Sequence, residues 1–136
     1  MKRLHLILTL MATLAAGAVH AQMVGNLEYD LAMLDGAFTT ALDATREVKQ
    51  EESRLAMELL YGLWRTFRRM NIEAHADDPQ FVSDVEMVEA RLWAASQLID
   101  NQKPFEAHDQ LDAARIVVLQ VRQRYELGRP AESTPQ

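Results

Sequence analysis

The chain has 136 residues, with 14 Lys and Arg against 20 Asp and Glu, a formal charge of −6, and no cysteine. That length holds one domain with one modest core. The missing cysteine excludes disulfides, thiol catalysis, iron–sulfur clusters, thiolate metal sites and haem attached through Cys-x-x-Cys-His. The acidic balance would repel nucleic acid and anionic lipid, so neither is expected as a partner.

Met1 to Ala21 reads as a cleavable secretory signal peptide. Lys2 and Arg3 give a basic start, Leu4 to Leu14 an apolar run, and Val19-His20-Ala21 the small residues a signal peptidase reads. The apolar run is shorter than the roughly 20 residues that span a bilayer, so no stable membrane insertion is expected. Cleavage after Ala21 leaves 136 − 21 = 115 residues, and losing Lys2 and Arg3 moves the charge from −6 to −8. The expected location is the periplasm or the medium outside the cell.

Four helical segments follow. Leu27, Leu31, Leu34, Phe38, Ala41, Thr45 and Val48 alternate at spacings of four and three and predict a helix over 24–49. Asp30, Asp35, Asp43 and Glu47 fall off that stripe, as a solvated face requires. Ala56, Leu59, Leu60, Leu63, Phe67 and Met70 predict a second helix over 52–74, separated from the first by a turn, since one long helix would expose its stripe. In Ala76-Asp77-Asp78-Pro79, Asp78 suits an N-cap and Pro79 the first helical position. The third helix then carries Val82, Val85, Val88, Leu92, Ala95 and Ile99 to about residue 100. After the turn Asp100 to Pro104, a fourth helix carries Ala107, Leu111, Ala114, Val118, Val121 and Tyr125 until Gly128 and Pro130 stop it.

No strand-like alternation occurs. Short connections force sequential helices antiparallel, so the fold class is all-α, an up-down-up-down antiparallel four-helix bundle over 22–128. The tail 129–136 is expected to be disordered.

Chemistry-bearing groups are sparse. His108 and Asp112, four apart on one face of the last helix, form a candidate divalent-metal site, which Glu47 would reach from the same end of the bundle, with Asp43 and Glu51 nearby. The Glu-x-x-His pair of di-iron bundles is missing. The competing reading has His108 flanking the core and Asp112 paired with Arg115 or solvent. Glu73-Ala-His75-Ala-Asp77-Asp78 is a further mixed cluster, better explained as a polar turn. No nucleophile elbow or phosphate loop is present, and the chain is not expected to be an enzyme.

Ile116-Val117-Val118-Leu119 is apolar around nearly the whole helix, where one face suffices for a bundle. Leu55 to Leu60, with Tyr61 and Trp64, is similarly broad. These residues either complete a wide core or leave Ile116, Leu119, Trp64 and Trp93 as an apolar patch for a homodimer or a protein partner.

From Asn26-Leu27-Glu28-Tyr29-Asp30-Leu31 to Val121-Arg122-Gln123-Arg124-Tyr125 the chain resembles the small periplasmic b-type cytochrome of the bundle class. That resemblance implies an iron-ligating Met early in helix one and a His late in helix four. The matching positions hold Leu31 and Arg122, and haem is therefore not expected. Met33 and His108 stand about 11 residues apart in level, roughly 16 Å along a helix, too far for one iron. Ala107-His108-x-x-Leu111 with Arg115, Trp64-x-x-Phe67 and Asp78-Pro79 is also similar to an uncharacterised group of small exported bacterial bundle proteins, which implies no activity. The expectation is a non-enzymatic exported bundle that binds a protein partner or itself through an apolar helix face. A metal- or haem-binding bundle, engaged in metal handling or electron transfer, is the alternative.

Overall fold

The computed structural model describes residues 26–127. The expected signal peptide and the tail 129–136 lie outside the described residues. Four helices occupy almost all of this span: α1 (Leu27–Arg46), α2 (Gln50–Asn71), α3 (Pro79–Asp100) and α4 (Pro104–Leu127). They pack as an all-α four-helix bundle in which each helix neighbours the next and α4 returns to α1. No strand occurs among the described residues, and no described helix is long and apolar enough to cross a membrane.

Local chemistry explains the helix ends. Asn26 caps α1 by accepting from the Tyr29 amide at 3.3 Å. Asp78 caps α3 by accepting from the Gln80 and Phe81 amides at 3.1 and 3.2 Å, with Pro79 in the first turn. The C-termini of α1 and α3 share a second device. Val48 and Gln102 take left-handed backbones, at φ 56° and 60°. The amides of Lys49 and Lys103 then reach back to the Ala44 and Leu98 carbonyls, and those of Val48 and Gln102 to the Thr45 and Ile99 carbonyls. This is the Schellman arrangement, here without glycine.

Both three-residue turns reverse the chain. Val48, expected on the buried stripe of helix one, is instead an exposed turn residue, and the first helix stops at Arg46 rather than 49. The second starts at Gln50 and ends at Asn71, two and three residues before the expected bounds.

The core is a continuous column of apolar residues from all four helices, Leu34, Phe38, Leu60, Trp64, Phe67, Phe81, Leu92, Ile99 and Leu111 among them. Aromatic side chains fill the space between α2 and α3, whereas α4 meets its neighbours over Ala107 and Ala114, which lets helices approach closely. Two further expectations change. Leu59 is half exposed, because α2 turns Leu60, Trp64 and Phe67 inward instead. Asp30, read as solvated, is wholly buried.

Candidate functional site

At the end of the bundle where α1 finishes and α4 begins, His108 lies beside the last turn of α1. Its Nδ1 is 3.1 Å from both the Leu42 carbonyl and the Thr45 hydroxyl. A carbonyl only accepts, so Nδ1 carries the proton and donates to Leu42, while the Thr45 hydroxyl donates to the Ala41 carbonyl at 2.9 Å. The Nε2 lone pair is left for other uses. Asp112 is exposed one turn further along α4, and Glu47 forms an ion pair with Lys49, whose ammonium holds the Glu47 carboxyl below its ordinary range. Among the described residues no three His, Asp or Glu side chains converge as a metal site. His108 also sits level with Leu42 and Thr45, 9 to 12 residues along α1 from Met33, about 14–18 Å at the helical rise. One iron does not bridge that pair.

The four residues expected at an apolar patch separate. Trp64 is buried between α2 and α3, with its indole N–H donating to Glu89, which also accepts from the Tyr61 hydroxyl at 2.9 Å. It belongs to the core and presents no surface. Trp93 is 59% exposed and lies one turn beyond Glu89, so it flanks the seam between α2 and α3. Ile116 is 49% exposed and Leu119 half-buried, both beyond the level of Arg115, which holds Asp35 of α1 at 2.8 Å. Leu119, one turn beyond Arg115 on the same side of α4, flanks the seam between α1 and α4, whereas Ile116 lies opposite the buried Ala114 and Val118 and points away from the bundle. Trp93 and Ile116 therefore face different sides of the bundle.

The opposite end carries a polar network that periodicity did not reveal. Asp30 accepts from the Asn71 amide at 3.4 Å, and Asp84, also buried, accepts from Gln80 at 2.9 Å and pairs with Arg124 at 2.5 Å. The Tyr125 hydroxyl donates to Asp78 at 2.9 Å, so His75 Nδ1, 3.2 Å away, donates to the phenol oxygen. The His75 ring meets Phe81 and the edge of Tyr125. Beside this network lies a cleft of about 980 Å³ lined by Leu27, Leu31, His75, Asp78, Arg122 and Tyr125 among others. Leu31 and Arg122, the positions matching haem ligands in the cytochrome resemblance, thus meet at one site, and neither side chain ligates iron.

The chain matches no family model, no curated protein and no solved structure.

The groups of the network are largely engaged with one another. Burial and then the Asp78 carboxylate push the Tyr125 phenol up to about 12, so it stays protonated. The Phe81 amide and the Tyr125 hydroxyl hold Asp78 below its ordinary range. Both Asp78 oxygens are committed, one to the helix amides and one to the phenol. Arg124 is held by Asp84, and Arg122 by Glu126 at 2.9 Å.

The outer face of the α1–α2 pair is of another kind. Positions 29, 32, 33, 36 and 40 of α1 and 55, 59, 62 and 66 of α2 carry no charge, and the two stripes run on to Asp43 on α1 and to Glu52 and Arg69 on α2. Tyr29, Leu55 and Leu59 are 45%, 52% and 52% exposed there. Met33 and Met70 pack part-buried against the core below them. Thr40 and Thr66 donate to the Gly36 and Gly62 carbonyls, both at 3.2 Å, so their hydroxyls are already satisfied. The signal for this face was present in the breadth of Leu55 to Leu60. Which of those leucines points outward is decided by packing.

Proposed function

We propose that this protein is a non-enzymatic, exported four-helix bundle that binds a protein chain through the apolar face of α1 and α2. One observation carries the reading: a chain of formal charge −6 leaves two leucines one turn apart on α2, Leu55 and Leu59, each 52% exposed, on the side of the helix that borders α1. Contiguous exposed apolar surface on an otherwise charged protein marks a binding surface. The Thr40 and Thr66 hydroxyls on the face are satisfied within their own helices, so covering them strands no donor. The polar network at the far end supports the non-enzymatic part, since its phenol is held protonated and its carboxylates are engaged. Localisation outside the cytoplasm rests on the signal-like start of the chain.

The reading is tested by replacing Leu59 with a photo-crosslinking phenylalanine derivative in the exported protein, with the same replacement at exposed Ser83 on α3 as the control. Crosslinks to a polypeptide from position 59 and none from 83 support it. Equal or absent crosslinking at 59 removes it.

A divalent metal at His108 is the second reading. It is favoured by the Nδ1 bond to the Leu42 carbonyl, because metal-ligating imidazoles are oriented by such a bond through the other nitrogen. Asp112 follows on the same helix, and Glu47 would join only by leaving Lys49. Zinc titration of the wild type and His108→Ala decides it: equal affinity in the two removes His108 as a ligand.

A further inference from the structure

The cleft beside the polar network, about 980 Å³, is of the size that holds a small organic molecule. Leu27 and Leu31, one turn apart on α1, give it an apolar wall, and the rings of His75 and Tyr125 line it with them. Around α1 those leucines lie opposite Tyr29 and Met33, so the cleft is separate from the α1–α2 face and independent of what binds there.

The charges around the cleft argue against a charged ligand. The guanidiniums of Arg122 and Arg124 line it together with three carboxylates, Glu28, Asp78 and Glu126. That balance, in a chain that is acidic overall, disfavours an anion. A cation would need a carboxylate at its disposal. Asp78 has both oxygens engaged, Glu126 holds Arg122, and Glu28 is not free. Arg124 is held by Asp84 in the same way. An ionic ligand would have to displace a partner already in place, and the group so displaced would lose what the ligand gains.

One group in the wall is left with a definite polarity. Asp78 is fixed by the Gln80 and Phe81 amides at the start of α3, and it accepts the Tyr125 hydroxyl. The phenol oxygen therefore accepts from His75, which places the proton of a neutral imidazole on Nδ1. The α3 cap thus sets the tautomer two hydrogen bonds away. Nε2 becomes an acceptor without a partner among the described residues, on a ring that lines the cleft. An acceptor set in an otherwise apolar and aromatic wall favours a molecule that brings it a donor. The rings of His75 and Tyr125 favour an aromatic body, which can meet them in stacked or edge-on contact.

We propose that this cleft binds an uncharged aromatic molecule with one hydroxyl or N–H donor, of the phenol or indole class, which donates to His75 Nε2 and lays its rings against Leu27 and Leu31. Tyr125 and Asp78 act as positioning residues that keep the imidazole in the accepting tautomer. The ligand adds a hydrogen bond without breaking one, since the pairs of Arg122 and Arg124 stay as they are.

The test titrates the purified mature chain with naphthol and, separately, with its methyl ether, in mildly alkaline buffer where a free imidazole and the naphthol hydroxyl are both uncharged. Methyl signals of the leucines, followed by NMR, report both affinity and place. Naphthol is expected to bind about tenfold more tightly than the ether, the worth of one hydrogen bond, and to shift the methyls of Leu27 and Leu31. In His75→Phe, which keeps a ring but no acceptor, the two probes should bind alike. The ether is the more apolar of the pair, so binding by hydrophobic contact alone would favour it. Wild type that binds the ether as tightly as naphthol, or binds neither, overturns the proposal. A preference for naphthol that survives in folded His75→Phe overturns it too, as do shifts confined to Leu55 and Leu59. Should the variant fail to fold, the wild-type comparison and the place of the shifts still decide.

Discussion

Asp30 is wholly buried against Asn71, its Oδ2 3.4 Å from the Asn71 amide nitrogen and its Oδ1 without a hydrogen-bond partner. Burial raises the Asp30 carboxyl above its ordinary range, against the smaller opposing effect of the Asn71 bond. The folded chain therefore binds this proton more tightly than the unfolded chain. The group costs nothing by ionisation below its unfolded value, and the cost grows as pH rises through the raised folded value. We expect Asp30→Asn to stabilise the protein at pH 7 by about 1 kcal/mol, the scale of one unsatisfied buried group. The gain should shrink toward pH 4. Urea unfolding of both proteins at the two pH values checks it, and a pH-independent difference would assign the effect to packing.

Tyr125 titrates in the other extreme of pH. Its phenol is pushed up to about 12 from an ordinary value of 10.0. Between those values the unfolded chain loses the proton while the folded chain keeps it, so stability falls as pH rises from about 10 to about 12. Tyr125→Phe should lack that fall. Difference absorbance of the phenolate in wild type and variant should assign a late-ionising tyrosine to this position.

Val48 occupies a left-handed backbone that β-branched residues rarely adopt, at φ 56°, and its side chain is exposed. Val48→Gly keeps the turn and removes the steric conflict. A gain of about 1 kcal/mol is expected, since the left-handed region costs an L residue roughly 1–2 kcal/mol. Thermal unfolding measures it. A loss of stability would mean that the exposed valine contributes more through its contacts than its backbone costs.

Glu89 binds two α2 side chains from α3, the Trp64 indole and the Tyr61 hydroxyl. Glu89→Ala strands the buried indole N–H and should cost about 1–3 kcal/mol. Glu89→Gln keeps an acceptor and should cost less. Because Trp64 is the buried tryptophan and Trp93 the exposed one, the alanine variant should also shift the buried component of the fluorescence.

The pairing of Asp84 with Arg124 is asymmetric, the aspartate being nearly inaccessible and the arginine reaching solvent. Arg124→Ala leaves a buried carboxylate with only Gln80 as its partner and should destabilise by about 1–3 kcal/mol. Asp84→Ala frees a guanidinium that water can solvate and should cost less. Chemical denaturation of the two variants tests the order.

Much of the fold is determined by the sequence alone. Asp78 with Pro79 and Pro104 mark helix starts whose capping chemistry is local, and the four-and-three spacing of Leu31, Leu34, Phe38 and Ala41 or of Leu111, Ala114, Val118 and Val121 names a buried stripe wherever the helix sits. Short connections then leave an antiparallel bundle as the arrangement that covers all four stripes. Tertiary structure decided how far each helix turns about its own axis. Leu59 and Leu60 are adjacent and about 100° apart, so periodicity admits either one inside, and packing against the aromatic seam chose Leu60. Asp30 stands at the edge of its stripe, where a rotation of the same order takes a carboxylate out of water and toward Asn71. Trp64 packs inward against Phe67, and its buried indole proton is accepted by Glu89, 25 residues away in the chain. The candidate face of α1 and α2 was legible only in part for that reason: the breadth of Leu55 to Leu60 marked an apolar surplus, but which leucine points outward depends on the rotation and register the helices take in the bundle, and no local spacing records them.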